Sequence, residues 1–412
     1  MHAWHLVTYM AGDNDLEGAA LEDVLEMEAA GPLARVAVTF QLDRSVAHDG
    51  GFGNWRNGRR YRLRQGAPVA DGIASELVEK LGDVNSGDPE VVTRFVDFAL
   101  ADRPADRVAL ILWSHGTGVI VPEAYRHGGA AAPAPSRAVT RARATALFGT
   151  SLAAALGRDD ARRSVLLDDG SMDALDTIEL RGVVRHARDK LGRPLDLVGM
   201  DACLMCMIEL AWELRDDARV LVGSQLEEPG DGWPWDVILR RLDDAPDVDG
   251  AGLGAVIVAA YREHFADLKP AVAQSAIRLD ALTPLKDAWA AVCAALLAGG
   301  PAARDARRLA LFQARKKAVP FHDGLYVDLR ALAKALAATP DQPALTAAAK
   351  AVVKLLAPGG IVASHARLRG RTPSNGLAIY FPLTRAPSDD YGRLSFPIET
   401  GWLKVLDAMG AT

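Results

Sequence analysis

Short apolar runs alternate with helical patterns through the first two thirds of the chain, and this alternation limits the fold more than any other feature. Residues 4–10, 36–42, 108–113, 195–200 and 220–223 read as strands. Helical patterns lie between them at about 15–30, 88–101, 177–191 and 203–215. Strands that alternate with helices build a mostly parallel sheet with helices on both faces, so the fold class is α/β. The run Val108-Ala109-Leu110-Ile111-Leu112-Trp113 is apolar without alternation, as expected of a strand buried on both faces. Local punctuation agrees. Asp88 precedes Pro89 at the first position of one helix, and Asp176 with Glu179 resembles a capping box at the start of another. Residues 49–66 read as a small hairpin excursion.

Two segments depart from this rhythm. Residues 122–163 are rich in Ala, Pro and Gly and hold seven arginines: Arg126, Arg137, Arg141, Arg143, Arg158, Arg162 and Arg163. A patternless stretch this long inside a compact domain is a functional loop or a disordered one. Beyond about residue 246 helical patterns dominate, at 249–268, 281–298, 301–318, 327–338 and 342–357, with strand-like pieces at 271–278 and 376–381. The expected division is therefore a larger unit over 1–246 and a smaller, helix-rich unit over 247–412.

Composition excludes several function classes. The formal net charge is -6, with both signs spread along the chain, so there is no basic footprint for nucleic acid. Three cysteines in 412 residues cannot form a disulfide framework, and they suit a reducing compartment. The start, Met1-His2-Ala3-Trp4-His5, has no basic region ahead of a long apolar one, so a cytoplasmic protein without a signal peptide is expected. The longest apolar runs, such as 288–298, are too short to span a bilayer. The expected partner is thus neither nucleic acid nor membrane, and the oligomeric state stays open.

Two strand ends carry reactive residues. The strand at 108–113 runs into Ser114-His115-Gly116-Thr117-Gly118, and the strand at 195–200 runs into Asp201-Ala202-Cys203. Open parallel sheets bind ligands at the carboxyl ends of their strands. If these two strands are neighbours, His115 and Cys203 meet at one edge. A cysteine at the start of a helix over 203–215 would gain thiolate character from the helix N-terminus. The backbone N–H groups of Gly116 and Cys203 form a candidate oxyanion hole. Taken singly, a buried cysteine is most often plain core and a histidine before glycine a turn residue. The conjunction favours a Cys/His nucleophilic site. Cys203-Leu204-Met205-Cys206 also has the Cys-x-x-Cys spacing of a redox pair, but that leaves His115 without a role. No second ligand pair for zinc appears, and no metal is assigned.

Six blocks carry a family resemblance: "YMAGDNDLE", "GDVNSGDPE", "PADRVALILWSHGTG", "GMDACLMCMIELAWEL", "VGSQLEEPGDGWPW" and "SNGLAIYFP". In this order they resemble the clostripain family of cysteine peptidases, whose fold is caspase-like. The resemblance implies an α/β/α sandwich with a mostly parallel central sheet and a smaller, helix-rich C-terminal subdomain. It implies a catalytic domain over 1–246 that hydrolyses protein or peptide substrates, with Cys203 as nucleophile and His115 as general acid/base. Members commonly prefer Arg or Lys before the scissile bond, which calls for a carboxylate in the first specificity pocket. Asp201 matches that position, and Asp231 is favoured as a second acid over Glu227 and Glu228, which read as a solvated loop. Self-cleavage between the His and Cys strands is expected within 122–163, with Arg141, Arg143, Arg158, Arg162 and Arg163 as candidate sites. No cofactor is implied beyond the calcium that some members use. Residues 83–88 are oxygen-rich but read as a turn and helix cap. Two rivals stay open: a catalytically silent scaffold on the same fold, and a thiol oxidoreductase using Cys203 and Cys206.

Overall fold

The computed structural model describes residues 2–45, 51–64, 72–119, 165–171, 173–268, 270–322, 324–383, 387 and 389–410. The chain starts with two parallel strands, β1 (His2–Gly12) and β2 (Val36–Arg44), joined by α1 (Glu17–Ala29). It adds β3 (Gly58–Arg62) and β4 (Glu76–Gly82) antiparallel on the outer side of β2. Helix α2 (Pro89–Asp102) then returns to the other side of β1, where β5 (Ala105–Trp113) lies parallel. A small antiparallel pair, β6 (Val165–Asp168) and β7 (Asp173–Leu175), precedes α3 (Thr177–Leu191). Beside β5 come β8 (Leu197–Asp201), α4 (Ile208–Leu214) and β9 (Val220–Gly223), with both strands parallel.

Past α5 (Trp235–Asp244) and α6 (Gly250–His264) the chain reverses as β10 (Val272–Arg278), antiparallel to β9. Four helices follow, α7 (Thr283–Leu297), α8 (Pro301–Lys317), α9 (Leu329–Ala337) and α10 (Pro343–Leu355), with β11 (Tyr326–Asp328) between the second and third. The closing elements are β12 (Val362–Leu368), β13 (Ala378–Tyr380), α11 (Ser395–Thr400) and α12 (Trp402–Gly410). Among the described residues nine strands form one sheet, in the order β12-β10-β9-β8-β5-β1-β2-β3-β4. Two strands from beyond residue 246, β10 and β12, thus extend the same sheet.

Right-handed crossovers fix the layers. The step from β1 to β2 and the steps from β2 to β5, β8 and β9 run in opposite directions across the sheet, so their helices fall on opposite faces. Accordingly α1 packs on α5 and α5 on α6, while α2 packs on α3 and α3 on α4. The reversal of strand order between β1 and β5 is a topological switch point, where the carboxyl strand ends open a crevice. Both faces bury large side chains, including Trp4, Trp113, Trp233 and Trp235 at 1% exposure or less.

The helix ends follow from local sequence. Asp88 accepts a hydrogen bond from the Glu90 N–H ahead of Pro89, and Asp176 with Glu179 makes the full capping box of α3. Gly192 closes α3 in the left-handed conformation. One sequence expectation fails here, and one strand goes unmarked in the sequence. The helix expected over 203–215 begins only at Ile208, because residues 202–207 form turns tied to the loop after β9. The strand β12 carries Ser364, His365 and Arg367, so no apolar run marks it in the sequence.

Candidate active site

The strand register brings the two reactive loops together. Met10 pairs with Trp113 across β1 and β5, and Trp113 pairs with Asp201 across β5 and β8. His115 and Cys203 each lie two residues beyond that last pair, on adjacent strand ends. Gly116 makes the approach close: a Cβ there would stand 2.4 Å from the Cys203 carbonyl oxygen. Only glycine allows the two loops this contact.

The His loop is held from β1. The Asn14 amide donates to the carbonyls of Ala11 (3.0 Å) and Leu167 (2.8 Å), and the Leu16 N–H donates to Asn14 Oδ1 at 2.9 Å. Ser114 Oγ donates to the Ala11 carbonyl at 3.0 Å. This turn presents Asp15, whose Oδ1 lies 2.6 Å from His115 Nε2. A carboxylate on one ring nitrogen fixes the tautomer and orientation of a catalytic imidazole. Sequence analysis did not single out Asp15. Its signal was there: it follows β1, the strand beside the one that ends at His115.

The Cys loop is held from β9. The Leu204 N–H donates to the Leu226 carbonyl at 3.0 Å and the Cys206 N–H to Ser224 at 2.8 Å. Leu204 itself adopts φ of 63°, a left-handed conformation that a branched side chain seldom takes. The Glu228 N–H donates to Cys203 Sγ at 3.1 Å. Cys203 is 2% exposed, and burial, followed by the acids Glu228, Glu227 and Asp201, pushes its thiol well above the ordinary range. This corrects the expectation of a lowered value: no helix begins at Cys203, and its charged neighbours are acids. Cys206 does not face the same partner, since its Sγ donates to the Gly376 carbonyl at 3.0 Å.

Behind Cys203 lies a group of buried acids. Asp201 is fully buried and accepts the Trp233 N–H at 3.2 Å. Glu228 is fully buried too and accepts from Gln274 Nε2 at 3.0 Å, so the solvated loop expected there is wrong for this residue. Asp23 accepts from Trp113 Nε1 at 2.6 Å and sits beneath Gly232. Burial, and then repulsion from Asp201, raises both Asp23 and Glu228 well above the carboxylate range. Asp231 is half-buried, and burial raises it as well. The arginines named as cleavage candidates lie outside the described residues, as does all of 122–163.

The C-terminal part braces both loops. Tyr326 donates its hydroxyl to the Thr117 carbonyl at 2.7 Å, and Gln225 is held by Asp328 and Ser374. Farther along the β1 and β2 ends, Asp13, Asp43 and Asp168 bring carboxylate oxygens within 4.8 Å of one another. Such an all-oxygen donor set fits a hard cation. In the 83–88 turn, by contrast, Asn85 accepts from the Gly87 N–H and Asp88 caps α2.

The clostripain family model matches residues 8–128 and 153–408, most of the chain. This chain belongs to the clostripain family. It is 26% identical over 255 residues to clostripain of Hathewaya histolytica, a stretch that takes in 58% of this chain and 41% of that protein. Two solved structures are similar in fold. One is a secreted cysteine protease from Bacteroides thetaiotaomicron in complex with an irreversible peptide inhibitor, with a TM-score of 0.65 and 18% identity over 98% of this chain and 100% of that one. The other is an inactive zymogen protease from Parabacteroides distasonis, with a TM-score of 0.62 and 19% identity over 97% of this chain and 98% of that one. The fold is the caspase-like α/β fold of these proteases. No helix among the described residues is long and apolar enough to cross a membrane.

Proposed function

We propose that this clostripain-family chain is a cysteine endopeptidase that cleaves after Arg or Lys. The observation that carries the reading is the meeting of His115, bonded to Asp15, with Cys203 on adjacent strand ends, with Gly116 against the Cys203 backbone. Cys203 passes its thiol proton to His115 as Sγ attacks the scissile carbonyl, and the intermediate collapses to a thioester. His115 protonates the leaving amine, then takes a proton from the water that releases the acid product. The N–H groups of Gly116 and Cys203 hold the oxyanion, and removing one such donor costs about 10²–10³ in rate. Asp201 forms the floor of the first specificity pocket, with Asp231 at its half-buried edge. Buried, unpaired carboxyl groups suit a cationic side chain that arrives from outside.

In the intact chain the Glu228 N–H rests on the Cys203 sulfur, and acids surround the thiol. This suits a resting precursor, activated by cutting after Arg within 122–163. Intact-mass analysis of purified protein beside Cys203→Ala tests the step, and one uncut species in both removes it. Three unpaired cysteines suit a reducing, cytoplasmic setting.

The function is tested with fluorogenic peptides ending in Arg, Lys, Asp or Leu, with calcium and with chelator. Release from Arg or Lys that needs Cys203 supports the reading. Silence on every peptide from folded, processed protein overturns it. The chelator arm tests calcium, for which Asp13, Asp43 and Asp168 offer the suitable donors.

A further inference from the structure

Helix α8 packs on α7 and α9 and turns one flank into the protein, with Leu311, Ala314 and Arg315 buried and Ala318 buried just past its end. The opposite flank keeps large apolar side chains in water. Among the described residues six large hydrophobic residues are exposed, and three of them lie on this one segment: Leu309 at 57%, Phe312 at 46% and Val319, just past the helix end, at 41%. The other three, Leu77, Leu383 and Ile398, come from separate elements. Single exposed apolar residues are ordinary, but a row of them marks an interaction surface.

The spacing of the row is regular. Ala302, Asp305, Leu309, Phe312, Lys316 and Val319 are all exposed, and they follow one another at intervals of three, four, three, four and three. That is the a/d repeat of a coiled-coil seam, which packs against another helix. The charges in the seam choose the partner. Asp305 and Lys316 lie symmetrically about the midpoint between Leu309 and Phe312. Among the described residues neither has an ion-pair partner. When two copies of this helix lie antiparallel about that midpoint, a positions face d positions. Leu309 then meets the partner's Phe312, Asp305 meets the partner's Lys316, and Ala302 meets the partner's Val319. Each pairing occurs twice, as a two-fold axis requires. A parallel alignment instead sets Asp305 on Asp305 and Lys316 on Lys316, which like charges oppose. We infer that this seam is a self-complementary docking surface, on which α8 pairs antiparallel with α8 of a second copy of the chain.

The seam is separate from the supports of the active site. The buried flank of α8, not the seam, bears Arg315, whose Nε donates to the Phe381 carbonyl at 2.9 Å and whose guanidinium also reaches the Gly324 carbonyl. Gly324 belongs to the turn ahead of Tyr326, which braces the His loop. Substitutions in the seam therefore spare that brace. The seam is also short, since a 17-residue helix is about 25 Å long. Such a contact lies at the weak end of specific interfaces, with an expected Kd of roughly 10–100 µM.

The test is sedimentation of the full chain, carried as Cys203→Ala so that no self-cleavage intervenes, from about 1 µM to about 300 µM. The parent should pass from monomer to dimer across this range. Phe312→Glu should stay monomeric throughout. Asp305→Lys and Lys316→Glu should each weaken the dimer by about 10-fold or more, because both symmetric layers then oppose like charges. The double reversal, Asp305→Lys with Lys316→Glu, should return the affinity to within about 3-fold of the parent. It keeps the composition of the seam, so it tests the pairing even if Phe312→Glu folds poorly. Because the altered charges are exposed, the reversals should keep the parent's melting temperature. A chain that stays monomeric across the range overturns the inference and leaves the seam to a different partner. A dimer that persists in folded Phe312→Glu places the contact elsewhere and overturns it too. Single reversals without effect, or a double reversal that does not restore the dimer, overturn the antiparallel pairing.

Discussion

His115 is held by Asp15 at 2.6 Å, which leaves the ring one orientation from which to serve the Cys203 loop. Replacing that carboxylate with an amide keeps the shape and loses the charge that supports an imidazolium. Asp15→Asn should therefore lower kcat by about 10- to 100-fold with little change in KM. An unchanged kcat would show that the contact is incidental. At this scale the sequence was informative where a reactive residue directly followed an apolar strand, as His115 and Cys203 do. It was silent on Asp15, because a carboxylate in a turn looks like any surface acid until the neighbouring strand is known. It misled on Glu228, whose burial comes from Gln274 on β10, far along the chain. It misled on the Cys203 thiol for a similar reason: burial raises it first, and Glu228 and Glu227, which add to this, come from the loop after β9.

The elements place these residues through strand order. Because β5 lies between β1 and β8, the loops bearing Asp15, His115 and Cys203 open side by side at the switch point. The contact that closes them is Gly116 on the Cys203 carbonyl, where a Cβ would stand at 2.4 Å. Gly116→Ala must push the loops apart, because the opposing atom is backbone. It should cost about 1–3 kcal/mol of stability and nearly all turnover, read by denaturant unfolding and by peptide hydrolysis on the folded fraction. Full activity in Gly116→Ala would mean that the loops need not touch. The parallel core strands were legible as apolar runs of strand length. The start of α4 was not: the segment 203–207 has helical composition, but its N–H groups go to Ser224 and Leu226 instead of back along a helix. The edge strand β12 escaped notice because Ser364, His365 and Arg367 dilute its apolar pattern.

Across the described residues, the folded chain keeps several acids away from water. Burial lifts Glu26 to about 7, Glu209 to about 7, Asp201 to about 7 and Asp168 to about 6. In an unfolded chain these groups titrate near 4. Each raised carboxyl contributes stability that is fully present below its unfolded value and is lost as pH rises through the folded value. His5, lowered to about 4 by burial, opposes this below about 6.5, and His2 and His365, also lowered by burial, act in the same sense but are fewer than the raised carboxyls. The melting temperature should therefore rise by a few degrees between pH 8 and pH 5.5, and a flat or falling trend by calorimetry would contradict the burial of these acids. The C-terminal strands complete the sheet that carries the site, and Tyr326 reaches back to Thr117, so the catalytic loops depend on residues from both ends of the chain. The central claim, that Cys203 is a nucleophile behind an Arg-seating pocket, is tested most directly by covalent labelling. The full chain is treated with a peptidyl-Arg chloromethyl ketone and, separately, with its Leu analogue, and the adduct is located by mass spectrometry. The account predicts one adduct, on Cys203, formed with the Arg reagent and nearly absent with the Leu reagent. An adduct on Cys206 or Cys293, equal labelling by both reagents, or none on folded, processed protein would contradict it.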